Sequence, residues 1–173
     1  PLEFLGPAVD PRSLRLLDWP EPEVHPGVLR TSVIYLDSFG SAKLSALGSH
    51  LFGALGSAVP GQPLYVRIID QDGPMDLEVA WAETFGNVPP GQPLLLQDSY
   101  GRLSLAVNQG SAAQDLGIRE DAEVIVSRGP MAPGMDPGMD PGMDPGMDPG
   151  LLQVGTRQGP ASWEPAWEGP AAG

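Results

Sequence analysis

At 173 residues and 18.2 kDa the chain has room for one domain with a real core of about 100–150 residues, and too little for a large multidomain enzyme. Lys and Arg number 9 against 22 Asp and Glu, giving a formal net charge of -13; this excludes nucleic acid and anionic membrane as expected partners, because phosphate affinity rests on clustered cations. The absence of Cys excludes disulfides, thiolate metal sites and a catalytic thiol, and leaves His25 and His50 as the only imidazoles.

Residues 1–26 carry Pro at six positions and read as an interdomain linker remnant that wraps a surface. The start on Pro1 rather than Met leads to the expectation of an upstream segment, and the lack of a basic start with an apolar core argues against a signal peptide. No apolar run approaches about 18 residues, so the expected location is the cytoplasm.

Residues 27–128 read as mainly β. Strands are predicted at residues 29–36, at 64–69 after Pro60-Gly61-Gln62-Pro63, and at 77–81, 94–96, 102–107 and 124–126. Six short strands punctuated by Gly and Pro predict a small antiparallel β-barrel or a sandwich. Two helices are predicted. One covers residues 41–55. The other covers residues 111–116, with Ser111 as N-cap, Asp115 in its first turns and Gly117 just past its end.

Residues 129–173 hold five of the six Met, and Met-Asp-Pro-Gly repeats four times from Met135 to Gly150. A period of four with two breakers per unit fits neither helix nor strand, and its ordering entropy exceeds what so little apolar surface could offset, so this tail is predicted to be a disordered spacer. Each repeated Met is followed by a hard Asp and a rigid Pro, a poor soft-metal site. Trp163 and Trp167, in Ser-Trp-Glu-Pro-Ala-Trp-Glu, offer a short docking motif or are simply exposed.

No catalytic constellation is complete, and no metal ligand set is expected. There is no G-x-S-x-G elbow, no H-E-x-x-H, and Gly53-Ala-Leu-Gly56 lacks both a third glycine and the Lys-Ser/Thr sequel of a phosphate cradle. Two segments are more informative. In Asp37-Ser38-Phe39-Gly40-Ser41 a strand runs into an acidic, aromatic turn. In residues 98–113 a turn feeds a strand ending in Asn108-Gln109-Gly110-Ser111, small polar residues whose backbone can approach a ligand closely. On the residues alone, the favoured reading of the second segment is a hairpin followed by the start of a helix.

Taken together, Asp37-Ser38-Phe39-Gly40, Glu83-Thr84-Phe85-Gly86-Asn87-Val88-Pro89-Pro90-Gly91, Ser99-Tyr100-Gly101, and Ala106-Val107-Asn108-Gln109-Gly110-Ser111-Ala112-Ala113 resemble a known domain. It is the C-terminal domain of the S-adenosylmethionine hydroxide adenosyltransferases, a family that also contains fluorinating and chlorinating enzymes. The match runs from about Gly27 to Val126, and residues 5–11 resemble the stretch joining the two family domains. The resemblance implies a β-barrel that closes over the adenine and methionine ends of the ligand at a subunit boundary in a homotrimer. It also implies a separate N-terminal α/β domain, of the same or a neighbouring subunit, that activates water and holds much of the ribose. No cofactor is implied beyond S-adenosylmethionine as substrate.

Residue by residue, the resemblance makes Asp37 the partner of the methionine ammonium and Phe39 and Phe85 the apolar lining of the nucleoside pocket. Ser99 would bond the methionine carboxylate, and Asn108 and Gln109 would read the adenine edge through their backbone. Ser41 stands where the family usually has Asn, and Leu44-Ser45 where it has Thr-Asn, so the adenine edge would meet a hydroxyl in place of an amide. Tyr100 stands where halogenating members carry Arg. The function implied is the ligand-positioning part of an adenosine-forming S-adenosylmethionine hydrolase. The alternative is a non-catalytic nucleoside-binding or protein-interaction module with a disordered recruiting tail.

Overall fold

A computed structural model describes residue 4, residues 6–15 and 19–131, and the backbone of residues 157–158. Its strands are β1 (Glu23–His25), β2 (Val28–Leu36), β3 (Ala42–Leu47), β4 (Pro63–Asp70), β5 (Gly73–Ala82), β6 (Pro93–Gln97), β7 (Arg102–Val107), β8 (Glu123–Ser127) and β9 (Arg157–Gln158); its helices are α1 (Gly48–Leu55) and α2 (Ala112–Asp115). Seven strands close on themselves in the order β2-β3-β7-β6-β5-β4-β8, with β8 pairing back onto β2. Closure leaves no free edge in the barrel, which satisfies the backbone of short strands that could not stand alone.

Side-chain alternation fixes which face is inside. Leu29 and Val33 on β2, Leu64, Val66 and Ile68 on β4, Leu103 and Leu105 on β7, and Val124 and Val126 on β8 point into one main core. Leu51, Ala54 and Leu55 of α1 join that core. A second, smaller cluster forms on the outer face of the wall, where Leu94, Leu96 and Ala106 pack with Ala82 under Val88. Val88 belongs to residues 83–92, the connection that carries the chain from β5 over to β6.

Three findings differ from the expectations. The barrel is not wholly antiparallel: β5 and β6 run parallel, joined through Ala80–Leu94, Trp81–Leu95 and Ala82–Leu96, a pairing that no local pattern announces. The helix expected over residues 41–55 is a strand, β3, for its first half and a helix only from Gly48. Ala, Leu and Lys in that first half favour helix, but pairing with β2 on one side and β7 on the other wins. A buried hydroxyl pair, Thr31 Oγ1 and Ser45 Oγ at 2.9 Å, helps lock the β2–β3 register, and Thr31 Oγ1 also accepts from the Ala46 N–H. Lastly, β1 lies within residues 1–26 and pairs antiparallel with β2.

The short helix α2 matches its sequence signals. Ser111 Oγ accepts the Gln114 N–H at 3.3 Å, and Gly117 follows the C-cap with φ +65°. Among the described residues no helix is long and apolar enough to cross a membrane. The Met-Asp-Pro-Gly repeats, Trp163 and Trp167 lie outside the described residues. Within the tail, the backbone of β9 pairs parallel with Met75 and Asp76 of β5.

Candidate functional site

Two turns of the same construction leave neighbouring parts of the barrel wall. In Asp37-Ser38-Phe39-Gly40-Ser41, after β2, Asp37 Oδ1 accepts the N–H of Phe39 and of Ser41, both at 2.9 Å. In Asp98-Ser99-Tyr100-Gly101-Arg102, after β6, Asp98 Oδ1 accepts the N–H of Tyr100 at 2.9 Å and of Arg102 at 3.0 Å. The glycines sit at φ +82° (Gly40) and +80° (Gly101), backbone that a side chain would strain. Gly40 is doubly constrained, since a Cβ there would collide with Ser111 Oγ. Each turn thus spends one carboxylate oxygen on its own backbone and leaves the other, Oδ2, free to face outward.

Both Oδ2 atoms face Lys43 of β3. Its Nζ donates to Asp98 Oδ2 at 3.3 Å and lies 3.8 Å from Asp37 Oδ2. Lys43 stands on the outer face of the barrel wall, beside Ser104 of β7, which in turn pairs with Leu96 of β6. Together these side chains floor an open cavity of about 480 Å³, a size common among small-molecule sites. Phe39 and Phe85 stand on its rim, 80% and 43% exposed. Ser41, Gln109 and Gly110 complete its other side.

Gln109 has φ +56°, a left-handed conformation unusual for a residue with a side chain. Its backbone N–H and C=O make no hydrogen bond among the described residues, so both are available at the edge of the cavity. Phe85 is placed by the turn Phe85–Asn87, which is tied down where Asn87 Oδ1 accepts the Thr84 N–H at 2.8 Å.

Of the residues expected at the site, Asp37, Phe39, Ser41, Phe85 and Gln109 are brought round this one cavity. Ser99, Tyr100 and Asn108 are not part of its lining. Ser99 is exposed, and Tyr100, at 88% exposure, projects from the tip of its turn. Asn108 is buried and occupied: Nδ2 donates to the Val88 carbonyl at 2.7 Å, its N–H donates to Gln92 O at 2.9 Å, and its carbonyl accepts the Gly91 N–H at 2.7 Å. It clips residues 83–92 to the end of β7. Sequence reasoning missed Lys43, Asp98 and Ser104. The recurrence of Asp-Ser-aromatic-Gly at residues 37 and 98 was the readable signal for Asp98. Among the described residues, no three His, Cys, Asp or Glu groups converge on a metal position.

Residues 31–125 match the model of the SAM hydroxide adenosyltransferase C-terminal domain. The chain belongs to that family. It is 34% identical over 131 residues to an (R)-S-adenosyl-L-methionine hydrolase of Salinispora tropica, covering 75% of this chain and 44% of that protein. To the protein of the same name from Thermus thermophilus it is 33% identical over 124 residues, covering 72% and 40%. The chain therefore spans less than half the length of these family members. Among solved structures, an uncharacterized conserved protein from Thermotoga maritima shares the fold with a TM-score of 0.58 and 28% identity, over 74% of this chain and 46% of that one.

Proposed function

We propose that this chain is the ligand-positioning C-terminal part of an adenosine-forming S-adenosylmethionine hydrolase, a cytoplasmic homotrimer in its complete form. The observation that carries the reading is the gathering of Asp37, Phe39, Ser41, Phe85 and Gln109, residues from three separate stretches of sequence, round one cavity. Phe39 and Phe85 offer aromatic faces to a purine, and the unspent backbone groups of Gln109 suit the donor and acceptor pattern of an adenine edge. Asp37 Oδ2, 3.8 Å from Lys43 Nζ, lines the cavity as a carboxylate oxygen, which supports a contact to a ligand ammonium.

The reaction breaks the bond between sulfur and the ribose 5′ carbon and forms a bond from that carbon to a water oxygen. The sulfonium leaves as neutral methionine thioether, and the water proton passes to a base. The carboxylates that line this cavity, Asp37 and Asp98, are engaged by the N–H groups of their own turns and by Lys43, so in this reading the chain contributes orientation, and the attacking water belongs to an N-terminal α/β domain. The test is adenosine release from S-adenosylmethionine by the purified chain, alone and after addition of that domain from a complete relative. Release only in the mixture is expected. Release from the chain alone at the rate of a complete relative would overturn the division of labour.

A further inference from the structure

β5 is ten residues long, yet β6 pairs only with its last three, residues 80–82, so its first half overhangs the closed ring on that side. Alternation decides which backbone groups point there. Trp81 donates its N–H to Gln62 O at 2.9 Å and accepts the Gly61 N–H at 2.7 Å, both from the residues that lead into β4. The β4–β5 register runs unbroken back to Gly73, so Met75, Leu77 and Val79 also turn their main-chain groups to β4, while Pro74, Asp76 and Glu78 turn theirs to the overhanging edge. Pro74 has no N–H to offer there, but Asp76 and Glu78 do. Such an edge is a template for an extended chain.

Among the described residues, the strand that lies along it is β9, whose Arg157 and Gln158 pair parallel with Met75 and Asp76. The tail also leaves the barrel at this point. Arg67, opposite Asp76 in the register, holds its carboxylate through Nε at 2.6 Å and Nη2 at 2.8 Å, and Nη2 donates to the Met131 carbonyl at 3.1 Å. Exit and return therefore meet at Asp76, with 25 residues between Met131 and Arg157. That exceeds the dozen or so that a parallel crossover needs. The four Met-Asp-Pro-Gly units fall inside this stretch, and their Pro and Gly favour chain reversal while offering no strand of their own. Residues 149–163 carry Arg157 and no acid, whereas four Asp precede them in the tail and Glu164 and Glu168 follow. An edge that bears Asp76 and Glu78 accepts that stretch and repels its neighbours.

We propose that the overhanging edge of β5 is a strand-addition site filled in cis by the chain's own tail at Arg157–Gln158, with the Met-Asp-Pro-Gly repeats as the returning loop. Tethering gives the tail an effective concentration on the order of millimolar at that edge, which favours it over an untethered extended chain. The seated tail withholds the edge from other copies of the chain.

The test is amide hydrogen exchange, read by NMR on the isotope-labelled full chain and on Arg157→Pro, which removes a ladder N–H from β9. The Asp76 amide, which faces β9, should exchange about tenfold or more faster in Arg157→Pro, while the Leu77 amide, which faces β4, stays within about twofold and shows that the barrel is intact. An Asp76 amide that exchanges at the same rate in both chains would overturn the proposal. The source of the strand is tested by mixing labelled Arg157→Pro with an excess of unlabelled wild-type chain. The Asp76 amide should stay fast; protection regained in the mixture would mean that the strand comes from a second copy and would overturn the assignment in cis.

Discussion

Asp37 and Asp98 each divide one carboxylate between two tasks: Oδ1 holds a turn together through two backbone N–H groups, and Oδ2 faces the ammonium of Lys43. That division makes Asp37→Asn an informative change, because an amide oxygen can still accept the Phe39 and Ser41 N–H groups while the charge is gone. Losing one charge-assisted contact should cost about 1.5–3 kcal/mol of S-adenosylmethionine binding in enzyme reconstituted with the N-terminal domain. Adenosine, which lacks the amino-acid end, should bind as before. Ser99→Ala serves as the control: with Ser99 exposed and outside the cavity lining, its effect should stay below about 0.5 kcal/mol. Calorimetric titration of both ligands against both variants decides it. Equal losses for the two ligands in Asp37→Asn would mean a folding defect and remove Asp37 from the site.

At the scale of elements, the site depends on how residues 83–92 are fastened, because Phe85 rides on that connection. Asn108 supplies three of the fastenings, and its amide bond to the Val88 carbonyl is buried. Asn108→Ala should leave that carbonyl unpaired and destabilise the chain by about 1–3 kcal/mol. The loss should appear as faster hydrogen exchange at Gly91, whose N–H the Asn108 carbonyl holds, and as weaker adenosine binding through a displaced Phe85. Unchanged exchange at Gly91 would contradict the clip. Much of this element scale was readable from sequence. The strands with β-branched and aromatic alternation, such as 29–36 and 64–69, announce themselves, and so does the capped helix α2. Residues 42–47 do not, since their strand state comes from partners distant in sequence. The same limit explains the site: Asp37, Phe39, Ser41, Phe85 and Gln109 sit in motifs, whereas Lys43 and Ser104 become neighbours only through strand register. Asn108 was read as ligand-facing because nothing local shows that its polar groups are already spent.

For the molecule as a whole, the closed barrel couples that site to global stability. Ser41 pairs through its carbonyl with Asp37, Ala42 begins β3, and β3 is held between β2 and β7 in the ring of strands. Opening the cavity's floor therefore means opening the barrel, and a ligand seated there must stabilise the fold by mass action. At adenosine about tenfold above its dissociation constant the gain is about 1.4 kcal/mol, worth roughly 5–10 °C in Tm for a domain of this size. The expected result is one cooperative thermal transition for the barrel that moves upward with adenosine concentration. Phe85→Ala, which removes a rim aromatic 43% exposed and so contributes little to the core, should lower the adenosine-dependent shift while leaving the Tm without ligand nearly unchanged. A Tm indifferent to millimolar adenosine, or a shift of the same size in Phe85→Ala, would place the nucleoside elsewhere than between Phe85 and Gln109.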